Sequence, residues 1–274
     1  MKVLIRHYPA IAYFVITYII SWSGAFILVA PKLLHGVPIG KMDGIIMFPI
    51  MLAGPFFTGI ILNYTLDGKA GLRGLFSKMG RGGVGFRWYA PLLIPPVVII
   101  AVLLFLSAFF SPHFAPNFFL LSILFGIPAG FFEETGWMGF AFPRLNLRYS
   151  AFKASVILGI FWGLWHLPVI DFLGAASPHG AYLVPFSLSF IVLMTAMRVL
   201  IAWIYTNTKS ILLCQLMHAS STGFLVMFGP PHVSPAQETL WYAVYAAALW
   251  AIVLVIKKIY GPGLYIKLVK KVPA

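Results

Sequence analysis

The sequence predicts an all-α protein, a polytopic bundle of about eight transmembrane helices around a polar cavity inside the membrane. Three observations carry this. Hydrophobic residues make up 61% of the chain and charged residues only 9%, whereas a soluble domain carries about 25% charged residues. Apolar runs of about 20 residues, the length needed to cross a hydrocarbon core ~30 Å thick, recur along the whole chain. Finally, several polar groups capable of chemistry fall inside those runs rather than between them. Mean hydropathy is +0.95, so water is not the main solvent.

The spans are expected near 9–31, 44–65, 88–110, 117–141, 151–172, 181–206, 209–228 and 238–257. Lys2 and Arg6 precede the first run as they would in a signal peptide. That run continues to about Ala30 without a clear small-residue cleavage site, so it reads as a retained span. Pro49, Pro55, Pro95, Pro96 and Pro128 lie inside spans, where neighbouring helices can satisfy the backbone groups they free. The fourth span is the least regular because its second half is polar. No Ser-rich, Gly-rich or charged linker divides the chain, which is read as one membrane domain, 1–274. The one cysteine, Cys214, excludes an internal disulfide and a multi-cysteine zinc site. It is best read as a small packing residue.

The net charge of +13 would suggest nucleic acid in a soluble protein. Here the basic residues sit in short loops between apolar runs, a pattern that points to the anionic cytoplasmic leaflet and not to nucleic acid. With the N-terminus inside, 16 of the 19 basic residues fall in inner segments. Lys32 and Lys41 fall outside, Arg198 lies within a span, and the outer loops 173–180 and 229–237 carry no Lys or Arg. The expectation is a multi-pass plasma-membrane protein with both termini cytoplasmic. The basic segment 66–87, with Leu72, Leu75, Phe76 and Phe86 interleaved, reads equally as a membrane-surface segment or as a solvated loop.

The chain has six acidic residues. Four of them, Asp43, Asp67, Asp171 and Glu238, sit in loops or at span ends. Glu133 and Glu134 are adjacent within a span, about 12 Å from its inner end at 1.5 Å per residue. A charge at the bilayer centre costs about 2.5–3.5 kcal/mol on the lenient insertion scale, and such residues usually face the bundle interior and mark function. His166 and His218 lie within two other spans, and Arg198 is the one intramembrane cation. A buried guanidinium needs an anion, so Arg198 is expected to pair with Glu133 or Glu134 unless it snorkels to the inner interface.

A carboxylate beside an imidazole can hold and deprotonate water, the general-base half of peptide hydrolysis. A second imidazole and a hydroxyl can donate to the developing oxyanion. His218 and Thr222, four apart, share one helix face, as do Trp162 and His166, so Trp162 can pack against the imidazole and orient it. The same set, Glu133, His166 and His218, would also suit zinc with an open position for water. A third reading is a small proton-coupled transporter, since intramembrane Glu and His residues relay protons.

Three segments carry a resemblance: Glu133-Glu134-Thr135-Gly136-Trp137-Met138-Gly139-Phe140 with Phe142-Pro143-Arg144-Leu145; Trp162-Gly163-Leu164-Trp165-His166-Leu167-Pro168; and His218-Ala219-Ser220-Ser221. In order and spacing they resemble the CAAX-protease and bacteriocin-processing family of intramembrane proteases, whose eukaryotic members are the type II CAAX prenyl endopeptidases. The resemblance covers about 117–228, the implied catalytic core. It implies an intramembrane endopeptidase in which Glu133 and His166 activate water, Glu134 is a supporting acid, and His218 with the position of Thr222 forms the oxyanion site. It also implies a helical bundle whose cavity opens toward the cytoplasm and the membrane, and a peptide or protein substrate, prenylated proteins included. The family was once classed as metalloproteases, but the resemblance favours a metal-free glutamate mechanism and hence no cofactor. Two positions depart from the pattern: Met138 stands where the family usually has Arg, and Thr222 where it usually has Asn. These departures keep open a catalytically impaired member acting as a membrane binding or bacteriocin-immunity protein.

Overall fold

The computed structural model describes residues 2–265, all helices and connections, with no strand among them. Lys267, Lys270 and Lys271, counted above on the inner side, lie outside the described residues. After a short helix, Lys2–His7, the principal helices are α1 (Pro9–Leu34), α2 (Lys41–Met79) and α3 (Ile94–Phe109). A broken helical path follows over 120–146 (α4), then α5 (Ala151–Trp165), α6 (Leu183–Thr208), α7 (Ile211–Phe228) and α8 (Pro235–Tyr260). Among the described residues six helices are long and apolar enough to cross a membrane. The two other expected spans correspond to α4, which is irregular, and α5, which has 15 residues.

Hydrogen bonds between distant residues define the two ends of the bundle. At one end Lys41 Nζ donates to the Gly174 carbonyl (2.8 Å), Gln237 Nε2 to Ser111 Oγ (3.4 Å), and the Asn117 N–H to the Phe228 carbonyl (3.2 Å). At the other, Arg148 donates to the His7 carbonyl (2.7 Å), Ser210 Oγ to the Arg81 carbonyl (2.6 Å), and the Phe152 N–H to the Pro262 carbonyl (3.0 Å). This second end is the basic one.

Helix α6 is the centre of the bundle. It packs between α5 and α8, and every residue of 193–205 is buried. A helix apolar all round is read as a core helix. Arg198 sits in the middle of this stretch and is fully buried, which rules out snorkelling.

Several boundaries differ from the sequence reading. α5 stops at Trp165 and gives way to tighter turns around His166 and Ile170–Phe172. Pro168 accounts for this, since it disfavours the helical conformation in the residue before it and offers no N–H to the ladder. α2 runs past the expected end at 65, kinks at Gly68 (φ 60°, ψ −150°), and continues to Met79. Glycine is the residue that reaches that region of backbone space without a Cβ penalty. The segment 69–79 is therefore helix rather than loop. Its Leu75 is buried, while Phe76 and Phe86 are exposed.

α4 is where the fold is most irregular. A 3-10 stretch Leu120–Phe125 leads through Gly126–Pro128 into a π-helical turn, Ala129–Glu133. A second π turn, Trp137–Ala141, follows the single α turn Glu134–Gly136. π turns inside helices are rare and occur frequently at functional sites. Small residues let this span approach its neighbours: a Cβ on Gly136 would overlap the Pro55 carbonyl of α2, and one on Gly130 would overlap the Gln215 carbonyl of α7. Such close backbone contact is how membrane helices gain packing energy when no hydrophobic force drives them together.

Candidate active site

The wide turns of α4 bring both glutamates to the bundle interior, where both are buried. Glu134 is held on two sides. Arg198 Nη1 from α6 donates to Glu134 Oε2 (2.6 Å), and His218 Nδ1 from α7 lies 2.7 Å from Oε1. The carboxylate thus pairs the intramembrane cation and fixes His218 with its Nε2 free. Nε and Nη2 of Arg198 make no hydrogen bond among the described residues. The Trp162 ring lies 4.0 Å from the guanidinium carbon, a cation–π contact strengthened by exclusion of water.

Glu133 is held on one side only. Its Oε2 accepts from Trp162 Nε1 (2.6 Å) and from Trp137 Nε1 (3.2 Å). Its Oε1 has no hydrogen-bond partner among the described residues and lies 4.0 Å from His218 Nε2. A single bridging water matches a 4.0 Å separation in length, with bonds of about 2.7–3.0 Å, although Oε1 itself is closed off from the cavity in this conformation.

His166 caps the end of α5. Its Nδ1 lies 2.9 Å from the Trp162 carbonyl, so Nε2 is the nitrogen left for the cavity. Its ring meets Trp165, Phe190 and Trp162 edge-on. The packing of Trp162 on His166 expected from their spacing is present, at a centroid distance of 5.9 Å. Trp162 does more than orient that ring, because it also bonds Glu133, underlies Arg198 and meets the His218 ring at 4.9 Å. Thr222, one turn beyond His218, lines the same cavity. Cys214, one turn before it, is buried and its Sγ lies 3.1 Å from the Ser210 carbonyl, a packing role.

A cavity of about 380 Å³ joins these groups, with Glu133, Trp162, His166, His218 and Thr222 in its wall. It extends past Phe190 and Met194 to Lys41, Leu173, Gly174, Pro231 and Glu238. Its mouth therefore lies at the end of the bundle opposite the basic one. The charge pattern places the basic end in the cytoplasm, whereas the resemblance places the cavity mouth there. The two orientation expectations point opposite ways.

Zinc ligands at 2.0–2.2 Å in a tetrahedron stand about 3.3 Å apart. Glu133 Oε1 and His218 Nε2 stand 4.0 Å apart, and among the described residues no three His, Cys, Asp or Glu side chains converge as a ligand set.

A family model described as type II CAAX prenyl endopeptidase Rce1-like matches residues 114–224. The chain is also 31% identical over 248 residues to CAAX prenyl protease 2 of Methanococcus maripaludis, covering 82% of this chain and 84% of that protein. This chain belongs to the type II CAAX prenyl endopeptidase family. It is thus a multi-pass membrane protein of a peptide-hydrolase family. Against that background the departures take on structural meaning. Met138, at the usual arginine position, is fully buried, and the cation beside the glutamate pair comes instead from Arg198 on α6. Sequence spacing missed Trp137, although it stands four residues after Glu133 and donates to it. It also missed Lys41, whose position at the cavity mouth follows only from tertiary packing.

Proposed function

We propose that this protein is an intramembrane endopeptidase that cleaves a peptide bond with water activated by Glu133 and no metal. The observation that carries the reading is the free Oε1 of a buried glutamate facing His218 Nε2 across 4.0 Å, in the wall of a cavity. In the reaction Glu133 Oε1 takes a proton from a water held between it and the imidazoles, and the water oxygen attacks the scissile carbonyl. His218, protonated on both ring nitrogens with its Nδ1–H on Glu134, donates from Nε2–H to the developing oxyanion, and the Thr222 hydroxyl donates beside it. Glu133 then returns the proton to the leaving nitrogen. Glu134 does not touch the reacting atoms. It positions His218 and balances Arg198. His166 Nε2 contacts the water from the cavity side.

An apolar cleft of about 590 Å³ between α2 and α4 shares Ile45, Phe48 and Phe125 with the catalytic cavity. This supports a substrate carrying an apolar chain beside its peptide, a prenyl chain being one that fits the relative's description as a CAAX prenyl protease. The location proposed is the plasma membrane with both termini cytoplasmic, on the strength of the charge pattern. Maleimide labelling of intact cells tests it, since buried Cys214 gives little background. A cysteine introduced in 173–180 is expected to label from outside and one in 81–85 only after lysis. The reverse pattern rejects the orientation and puts the cavity mouth on the cytoplasmic side.

The activity is tested with purified protein in liposomes and a set of prenylated and unmodified peptides. Glu133→Gln is expected to lower kcat/KM by about 10²–10⁴, the usual contribution of a general base. Cleavage that survives the substitution rejects Glu133 as the base.

A further inference from the structure

The basic end of the bundle holds cations that the protein itself does not neutralise. Lys78 lies in the last turn of α2, Arg81 in the turn that follows, and Lys209 between α6 and α7. Hydrogen bonds to the main chain bring the three together. The Arg81 N–H donates to the Lys78 carbonyl (3.3 Å), and the Arg81 carbonyl accepts from Oγ of Ser210 (2.6 Å), the residue after Lys209. Among the described residues the three side chains make no hydrogen bond or ion pair, and Lys209 Nζ lies over the Tyr205 ring, 5.6 Å from its centroid. The acids are engaged elsewhere: Asp67 on Arg144, Glu133 and Glu134 in the bundle centre, and Asp43, Asp171 and Glu238 at the opposite end. Partial desolvation and the charge of Lys78 hold the Lys209 ammonium below its ordinary pKa, as a like charge nearby does.

Two further features mark the place. Lys209 takes the left-handed region of backbone space (φ 54°), which is costly for a residue with a Cβ and at a helix end is usually left to glycine. Strain of this kind collects where function holds it. Beside the cations, Phe76 and Phe86 are 52% and 90% exposed. The Phe76 carbonyl accepts from the Gly80 N–H (3.0 Å), and the Phe86 ring lies near Tyr89, whose hydroxyl donates to the Gly82 carbonyl (2.7 Å). A ligand that joins a phosphate to an apolar chain meets both the cations and the rings, whereas a free phosphate meets the cations alone.

We infer that Lys78, Arg81 and Lys209 form a binding site for the phosphate headgroup of an anionic phospholipid, whose acyl chains lie against Phe76 and Phe86. Basic pockets between helix ends take such headgroups, and charge-assisted hydrogen bonds to phosphate are the strong ones. A headgroup there ties the end of α2 to the junction of α6, which carries Arg198, and α7, which carries His218. Thr135, next to Glu134, donates to Met79 Sδ at the same end of α2 (3.9 Å). The lipid therefore braces three of the helices around the candidate catalytic groups, from the end opposite the cavity mouth. Nothing in this site depends on the peptidase reading.

The test titrates the full chain in detergent with phosphatidylglycerol, phosphatidylcholine or inorganic phosphate, and reads retained lipid by native mass spectrometry and the melting temperature alongside. Wild type is expected to bind phosphatidylglycerol about tenfold or more tighter than phosphatidylcholine, and Lys78→Gln to weaken that binding about fivefold, as for one basic residue at an anionic surface. Lys209→Gly is expected to weaken it similarly while leaving the lipid-free protein at least as stable, because glycine suits the left-handed backbone there. Lys78→Arg keeps the charge and is expected to keep the binding. The double variant Lys257→Gln with Lys258→Gln removes charge from α8 at the same end and is expected to leave most of the binding in place. Losses as large from that pair overturn the site and leave a diffuse basic surface, as does equal retention of the two lipids by wild type. Displacement of the lipid by inorganic phosphate at matching concentration overturns the lipid assignment in favour of a free anion.

Discussion

Two clusters in this molecule each set one imidazole between two carboxylates, and they are built for different ends. In the bundle centre His218 lies between Glu133 and Glu134. At the cavity mouth His179 lies between Asp171 and Glu238 (3.0 and 3.3 Å). In the outer cluster the carboxylates are spent on structure. Asp171 accepts the His179 N–H (2.8 Å) as well as facing its Nδ1, while Glu238 gathers two backbone N–H groups of the loop after α5. His179 also stacks on Phe186 of α6. In the inner cluster one carboxylate is spent in the same way, on Arg198 and His218, but the other keeps one oxygen without a partner on a residue that lines the cavity. The comparison teaches that carboxylate–imidazole proximity alone does not mark chemistry. What sets the inner cluster apart is an unpartnered carboxylate oxygen on a residue in the cavity wall.

The sharpest way to break this contrast is to remove a proton acceptor from each cluster. Glu133→Gln is expected to abolish most of the cleavage while the protein stays folded. Glu238→Gln is expected to retain activity within about tenfold and to lower thermal stability, through weaker capture of the loop. Equal activity losses from the two would erase the distinction.

The next effect concerns the cation. Arg198→Met leaves Glu134 buried without its partner, which is expected to destabilise by about 3–5 kcal/mol. A melting curve in detergent reads it. The double variant with Glu134→Gln is expected to recover much of that loss, as removing both members of a buried pair costs less than removing one. No recovery would mean that Arg198 acts through Trp162 rather than through Glu134.

The smallest effect belongs to the outer histidine. Burial works against its charge, but the carboxylates of Glu238 and Asp171 on either side prevail and raise its pKa above the ordinary 6.5. A raised native pKa contributes stability that is fully present below the unfolded value and is lost as pH rises through the native one. The melting temperature is therefore expected to fall as pH rises across that interval, and His179→Gln is expected to flatten the profile. A wild-type curve without that step would show that the charge on His179 does not hold the loop.

The sequence exposed much of this because the membrane makes polar residues expensive. Glu133, Glu134, His166, His218 and Arg198 stood out against apolar surroundings, and hydropathy found every long helix. The pairing of Arg198 with the glutamates was legible because a buried cation has few possible partners. Which glutamate it chose was not, since adjacent residues on a regular helix point about 100° apart and the π turns of α4 leave no periodic signature. The division of labour on Trp162 was equally hidden. Its indole reaches α4, α6 and α7 from α5, a convergence of four helices that no local spacing encodes. The extension of α2 beyond 65 escaped for a simpler reason: a basic stretch can be helical once Leu75 finds a buried site.

The brevity of α5 has a consequence for the lipid around it. Its 15 residues rise only about 22 Å, against a hydrocarbon core of about 30 Å. Ile160 and Phe161 on this helix are exposed, so part of that short span meets acyl chains directly. A span that falls short is accommodated by thinning of the surrounding bilayer. The membrane should dip beside α5, bringing headgroups and interfacial water down toward His166. The protein would then deform its own solvent where hydrolysis requires water, and a thicker bilayer would oppose that deformation.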